Sequence, residues 1–417
     1  MPPPTSATRD ILLLFAARTV RLFAYGFLAV VLVLYLGALG FSEVRIGVLL
    51  ALTLLGDAVI SLTMTTRADR LGRRRMLQWG ALLMMLGGAG MAAGGNFWLL
   101  LVAAVIGVIS PSGNEIGPFL AVEQACLAEV IQSTDRTRVF AWSHVIGFSA
   151  NALGALAGGV LAGGLQHAGW TPAGSYRVLF WLYAGVGGGL FVLFCLLGPA
   201  VEAPRSDATA GAGIMPASWH GLHEARGHVA KLSALFMLDA LGGGFIVQSF
   251  VAYWFHRRFG VDLATLGAVF FGTTLLSGLS ALAAVPLARR IGLLNTMVFT
   301  HLPSNALLML VPFMPTFGWA VAVLLARHVI SQMDVPTRQS YVNAIVPAAE
   351  RSAANGITMT IRQVGTALGP VAAGPLMAVP ALAGACFVIS GGLKSLYDLL
   401  IWRAFRRVRP PEEQGRR

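Results

Sequence analysis

The chain has 417 residues, 56% of them hydrophobic and 12% charged, with 30 basic against 18 acidic side chains and a net charge of +12. A soluble domain carries about a quarter of its residues as charges, so a water-soluble globular protein is excluded and lipid is the expected solvent. A nucleic-acid partner is set aside too, because the basic residues recur in alternate loops instead of gathering into one patch.

In chain order, Met1 to Asp10 holds three prolines and no basic cluster, and Arg18 and Arg21 interrupt the apolar run that follows. That pattern is unlike a cleaved signal peptide, so the first helix is expected to be retained. Six apolar stretches of membrane-spanning length follow at roughly 11–38, 46–66, 76–95, 97–128, 139–165 and 176–199. A polar segment rich in Pro, Gly and Ala covers about 200–229, and six more stretches lie near 230–255, 263–288, 293–314, 317–346, 352–378 and 380–403. The organisation expected is an N-terminal bundle over 1–199, a linker over 200–229, a C-terminal bundle over 230–405 and a tail over 406–417. Abundant glycine, 49 residues, fits close helix packing. Cys126, Cys195 and Cys386 fall in or beside apolar stretches at no metal-ligand spacing, and buried free thiols are expected.

The basic residues fix an expected orientation. Arg67, Arg70, Arg73, Arg74 and Arg75, then Arg136 and Arg138, Arg205, Arg226 and Lys231, Arg289 and Arg290, Arg351 and the tail arginines from Arg406 all occupy alternate loops, while the intervening loops carry only Arg45, Arg177, Arg257 and Arg258. The positive-inside rule then puts both termini in the cytoplasm with an even number of spans. An internal repeat supports the six-plus-six division. A shift of 215 residues lays Gln124 on Gln339, Glu123 on Arg338, Leu153 on Leu368 and Gly154 on Gly369; a shift of 218 to 220 lays Gly26-Phe27 on Gly244-Phe245, Arg21 on Asp239 and Arg70-Leu71-Gly72 on Arg290-Ile291-Gly292. Two homologous bundles with a substrate path between them are implied.

Between the second and third spans, Ala68-Asp69-Arg70-Leu71-Gly72-Arg73-Arg74 resembles the signature loop of the major facilitator superfamily, with Thr65 where the family pattern has glycine. Gly154-Ala-Leu-Ala-Gly158-Gly159 is similar, in part, to the glycine motif of its proton-coupled drug antiporters, with Ala155 in place of proline; Gly365 to Gly369-Pro370 keeps the Gly-Pro form. Packing of small residues explains these glycines equally well. The resemblance implies an all-α polytopic membrane protein with the major facilitator fold, two six-helix bundles related by pseudo-two-fold symmetry. It implies gating by Asp69, Arg70 and Arg73 at the cytoplasmic start of the eleventh span, and a cavity lined by spans 1, 4, 7 and 10.

Ionisable groups in apolar spans are functional candidates because each costs several kcal/mol. Glu115 is the first choice as proton carrier, with Asp57 and Asp239 behind it. Arg21, Tyr25, Glu123, Gln124, Gln248, Arg338 and Gln339 are expected to meet substrate. Arg18 and Arg21 have snorkelling to headgroups as their alternative. Asp57 and Arg362, each about 15 Å deep at 1.5 Å per residue, are expected to pair as a gate, and Lys394 and Asp398, spaced i, i+4, as a structural pair. Enzyme readings fail: in His223-Glu224 with His228 the second histidine falls five residues after the first instead of four, and the chain holds no phosphate-loop motif, no Gly-x-Ser-x-Gly elbow and only two lysines.

The expected function is secondary active transport by alternating access, proton-coupled efflux of amphipathic or drug-like compounds. A carrier of organic or phosphorylated anions, using Arg18, Arg21, Arg338 and Arg362, is the alternative; a transporter-like receptor is a reading of another class. Expected partners are a small-molecule substrate, protons or another coupling ion and membrane lipids, with no cofactor and no metal. The protein is expected to be a monomer in a bacterial-type inner membrane.

Overall fold

The computed structural model describes residues 6–113, 118–131, 136–202, 225–347 and 350–408. Glu115 and most of the expected linker therefore lie outside the described residues, as does the side chain of Asp69. Helices make up the first half as α1 (Ser6–Ala38), α2 (Glu43–Leu71), α3 (Arg73–Ala93), α4 (Phe97–Ile106), α5 (Pro118–Val130), α6 (Arg136–His167) and α7 (Pro172–Cys195). The second half contains α8 (Arg226–Phe245), α9 (Gln248–Phe259), α10 (Leu263–Ile291), α11 (Leu293–Leu310), α12 (Phe317–Ile330), α13 (Asp334–Ile345), α14 (Arg351–Ala378) and α15 (Ala385–Phe405).

Local chemistry sets the ends. Ser42, Asn96, Thr171 and Thr316 each accept a backbone N–H of the first turn from their side chains, satisfying donors that a helix start leaves free. Gly72 and Gly292 adopt φ of 101° and 88°, which lets α3 and α11 begin immediately after α2 and α10. The two glycines are equivalents under the repeat. So are the helix starts: Glu43, Arg73 and Phe97 precede Leu263, Leu293 and Phe317 by the same 220 residues.

Nine described helical stretches are long and apolar enough to cross a membrane, counting α8 and α9 as one. The sequence pointed to twelve, and the other three each have a physical reason. The expected spans over 97–128 and 317–346 are broken into α4 and α5, and into α12 and α13, while α14 carries polar residues such as Arg362 and Gln363 along its length. Span 7 is also interrupted, at Ile246 and Val247. Discontinuous helices at membrane depth are tolerated where other groups satisfy the freed backbone.

The chain clusters into two compact units, Met1–Ala212 with Gly260–Phe271, and Gly213–Phe259 with Gly272–Arg417. In the first, α1 and α6 approach through glycine: a Cβ on Gly154 would sit 2.0 Å from the Phe23 carbonyl oxygen, and one on Gly26 would sit 2.1 Å from that of Asn151. In the second, the repeat-equivalent Gly244 on α8 meets Thr366 O of α14 at 2.3 Å by the same measure. The glycine segment that resembled an antiporter motif is thus a helix-packing surface in this chain.

Candidate functional site

Each unit contains a buried charged centre. In the first unit, Arg21 from α1 and Glu123 from α5 form a two-pronged ion pair, with Nη1 to Oε1 at 2.5 Å and Nη2 to Oε2 at 2.8 Å. Their side chains are 0% and 2% exposed. The guanidinium also lies 4.4 Å from the Phe119 ring centre, one turn before Glu123. Arg18 turns to the Ser143 hydroxyl at 2.8 Å. Both arginines therefore point into protein, which removes the snorkelling alternative. Tyr25, fully buried, has its ring 6.4 Å from that of Tyr183, and buried Asp57 and Arg21 are both within electrostatic range of Tyr183.

The interruption between α4 and α5 is held by side chains. Val108 adopts φ of 51°, a left-handed conformation that a β-branched residue rarely takes. The Tyr183 hydroxyl reaches the carbonyls of Val108 at 2.9 Å and Gly107 at 3.2 Å, and Asn151 donates to the carbonyl of Gly113. Pro111 and Gly113 lie within this interruption; the partners that secure it come from α6 and α7 and carry no local signal.

In the second unit, Asp239 on α8 is the hub. Its Oδ1 accepts from Lys394 Nζ at 2.8 Å, and its Oδ2 from Arg362 Nη1 at 2.9 Å and Arg338 Nη1 at 3.3 Å. Arg338 also holds Asp334, one turn back on α13, at 2.9 Å. Phe236, on the same face of α8 as Asp239, lies under the guanidinium groups of Arg338 and Arg362 at 5.6 and 5.9 Å. Three cations thus meet two carboxylates. The acid is sealed at 3% exposure, while Arg362 and Lys394 retain 22% and 12%.

These contacts bear on two expected pairings. Arg362 finds a counter-charge in Asp239 of its own unit, and its pairing with Asp57 remains a proposal. Lys394 likewise goes to Asp239, and Asp398 instead holds His301 Nδ1 and Asn305 Nδ2, each at 3.0 Å. Helical i, i+4 spacing permitted the Lys394–Asp398 contact, but the lysine reaches Asp239 on α8 instead. Of the other candidates, Gln248 starts α9 immediately after the interruption, Gln124 is half-buried on α5 and Gln339 is exposed.

The signature loop is secured within the first unit. Arg73 reaches Ala125 O at 3.2 Å, Val201 O at 3.3 Å and Glu129 at 3.4 Å, and Arg74 reaches Cys195 O at 2.6 Å. Glu202 accepts the backbone N–H groups of Arg73 at 2.7 Å and Arg74 at 3.2 Å, placing a carboxylate at the positive end of α3. Arg70 is exposed.

The comparisons agree with this architecture. An uncharacterized membrane protein of Saccharomyces cerevisiae is 30% identical over 95% of this chain and 94% of its own. The class G tetracycline resistance protein of Vibrio anguillarum is 25% identical over 78% of each chain. Among solved structures, an inward-facing, unoccupied bacterial homolog of the human lysosomal transporter Spinster superposes with a TM-score of 0.77 over 98% of this chain and 99% of its own, at 14% identity. Residues 14–370, and again 232–417, match the Major Facilitator Superfamily. With its helices in two repeat-related sets and this match across most of its length, the chain is a multi-pass membrane transporter of the Major Facilitator Superfamily.

Proposed function

We propose that this secondary transporter carries a small organic anion by alternating access, coupled to protons, and that the cluster around Asp239 receives the negative group. The observation that carries the reading is the surplus of cations there: Arg338, Arg362 and Lys394 against Asp239 and Asp334. Both oxygens of Asp239 are already taken, so an incoming carboxylate or phosphate would meet the more exposed Arg362 and Lys394, and a buried excess of positive charge is stabilised by such a ligand. Gln248, beside the helix interruption, and Tyr25, Gln124 and Gln339 are the neutral contacts proposed for the rest of the substrate. Arg21 and Glu123, paired in the first unit, keep their proposed part in substrate binding, and Asp57, Asp69, Arg70, Arg73 and Glu115 keep theirs in gating and coupling. Loop charge supports cytoplasmic termini; a monomer in a bacterial-type inner membrane is part of the same proposal.

A second reading, efflux of amphipathic drug-like compounds, is favoured by the similarity to the tetracycline resistance protein. Reconstituted protein in liposomes separates the two when given labelled benzoate, glycerol phosphate or tetracycline, with and without an imposed pH gradient. Accumulation of an anion that collapses in Lys394→Gln supports the anion reading. Movement of tetracycline alone, unaffected by Lys394→Gln, overturns it.

A further inference from the structure

Asp398 is left outside the Asp239 cluster, and its surroundings differ in kind. Asp239 is ringed by cations, whereas Asp398 meets an imidazole and a neutral amide: His301 Nδ1 on Oδ1 at 3.0 Å and Asn305 Nδ2 on Oδ2 at 3.0 Å, with Asn305 Nδ2 also 3.4 Å from His301 Nδ1. All three side chains are buried between α11 and α15. We infer that His301 and Asp398, bridged by Asn305, form a buried proton-binding site, and that its proton accompanies the anion received by Lys394 and Arg362; the second half of this inference rests on the anion reading above.

Two independent features support the assignment. Asn305 Oδ1 is buried without a hydrogen-bond partner among the described residues. While Asp398 is ionised the amide N–H donates to it; once the dyad gains a proton there is a new donor, and turning the amide presents Oδ1 to accept it. Asn305 therefore suits both protonation states, which a static partner chosen for one state would not require. The second feature is connection. Lys394 and Asp398 are one turn apart on α15, so the helix that supplies a cation to Asp239 also carries the dyad. His301 and Asp239 act on each other electrostatically, as do Asp398, Asp239 and Asp334.

The charge balance gives the coupling its sign. The paired set of Arg338, Arg362, Lys394, Asp239 and Asp334 carries one net positive charge, and an ionised Asp398 beside a neutral His301 offsets it. A proton taken up from one aqueous side removes the offset and favours the anion; release of the proton on the other side restores it and expels the anion. By linkage the anion must raise proton affinity by the same factor. Away from the helix ends, the other charged or titratable groups on elements packed against the dyad are Arg327 and His328 of α12, Asp334, Arg338 and Tyr341 of α13, Asp239 of α8, Arg362 of α14, and Lys394 and Tyr397 of α15 itself. His is the side chain whose ordinary titration falls nearest physiological pH, and His328 is the only other histidine in this group.

Infrared difference spectra of the purified protein in lipid, recorded between acidic and alkaline pH, read the site directly. A protonated-carboxyl band that disappears in Asp398→Asn and changes its titration midpoint in His301→Gln is expected. A wild-type spectrum unchanged by Asp398→Asn overturns the site. Should that variant not fold, nitrogen-15 histidine spectra of the wild type, assigned with His301→Gln, replace it, and a His301 that keeps one form from pH 5 to 9 overturns the site equally. Benzoate serves as the anion probe for the coupling. One linked proton changes its affinity by up to about tenfold per pH unit in the wild type, and His301→Gln should flatten that dependence to less than about twofold. An unchanged pH slope overturns the coupling. Absence of benzoate binding in the wild type counts against the anion reading, while the spectra still judge the dyad.

Discussion

Neutralising Glu123 should be among the most damaging single changes in the first unit. Glu123→Gln preserves shape but removes the carboxylate charge that meets Arg21, whose side chain is 0% exposed. Two charge-assisted hydrogen bonds at 2.5 and 2.8 Å are weakened together, and Phe119 at 4.4 Å cannot replace a carboxylate. Breaking a buried pair from one side costs about 3–5 kcal/mol, because the orphaned charge remains desolvated. Arg21→Gln should cost a similar amount. The double variant leaves no orphan, so the interaction energy in a double-mutant cycle should reach roughly 3 kcal/mol in the restoring direction, the upper end of the range seen for contacting residues. Reversible unfolding of the reconstituted protein by a denaturing detergent, titrated for the four proteins of the cycle, supplies the number. Additive single effects would mean that the two side chains do not stabilise each other, and the ion-pair description of this centre would fail.

Three further outcomes follow from the same structure. Lys394→Gln should cost only about 1.5–3 kcal/mol of stability, one hydrogen bond to a charged group, because Asp239 keeps both arginines, while anion transport in liposomes falls by at least tenfold; a large stability loss with normal transport would make Lys394 merely structural. Gly154→Leu should abolish recovery of folded protein, since even a Cβ there would sit 2.0 Å from Phe23 O, whereas Gly185→Ala, with no atom within 4 Å of the added carbon, should leave yield unchanged. Asp262 accepts the Thr265 backbone N–H at 2.7 Å at the start of α10, and that hydrogen bond holds its carboxyl below the usual range. The folded-state value being the lower one, the contribution is present above the ordinary carboxylate range and fades as pH falls through the folded-state value. Asp262→Ala should remove about 1 kcal/mol, as loss of a helix cap does, and thermal melts of the two proteins should converge in acid.

Helix content, the division into two related halves and the membrane class were legible because each is written many times over, in long apolar stretches and in a repeat that aligns Gly26 with Gly244 and Gly154 with Gly369. The charged centres were half legible. The same shifts that laid Arg21 on Asp239 and Glu123 on Arg338 contained the pairs, because residues equivalent between halves pair within each half. Lys394, His301 and Asn305 were not legible as site residues. Their partners are 93 to 155 residues away, and nothing local distinguishes a lysine that turns toward Asp239 from one that turns toward Asp398. The partners that secure the break in span 4, Tyr183 and Asn151, were similarly hidden, since they come from other helices.

The two centres occupy equivalent places with their polarity exchanged, arginine then glutamate in the first half and aspartate then arginine in the second, and that exchange yields a last test. In the first half, Arg21→Glu with Glu123→Arg keeps opposite charges in contact and should still fold, losing the contact with Phe119, about 2 kcal/mol at most. The corresponding exchange in the second half, Asp239→Arg with Arg338→Asp, should not fold. An arginine at 239 would meet Arg362 and Lys394, where like charges about 4 Å apart repel by roughly 4 kcal/mol each at an effective dielectric constant of 20, and an aspartate at 338 would lie next to Asp334. Size-exclusion profiles of the two exchanged proteins decide the matter. Equal tolerance would mean that the extra cations do not converge on Asp239 in the folded protein, and the asymmetry that makes one half the anion-receiving half would be lost.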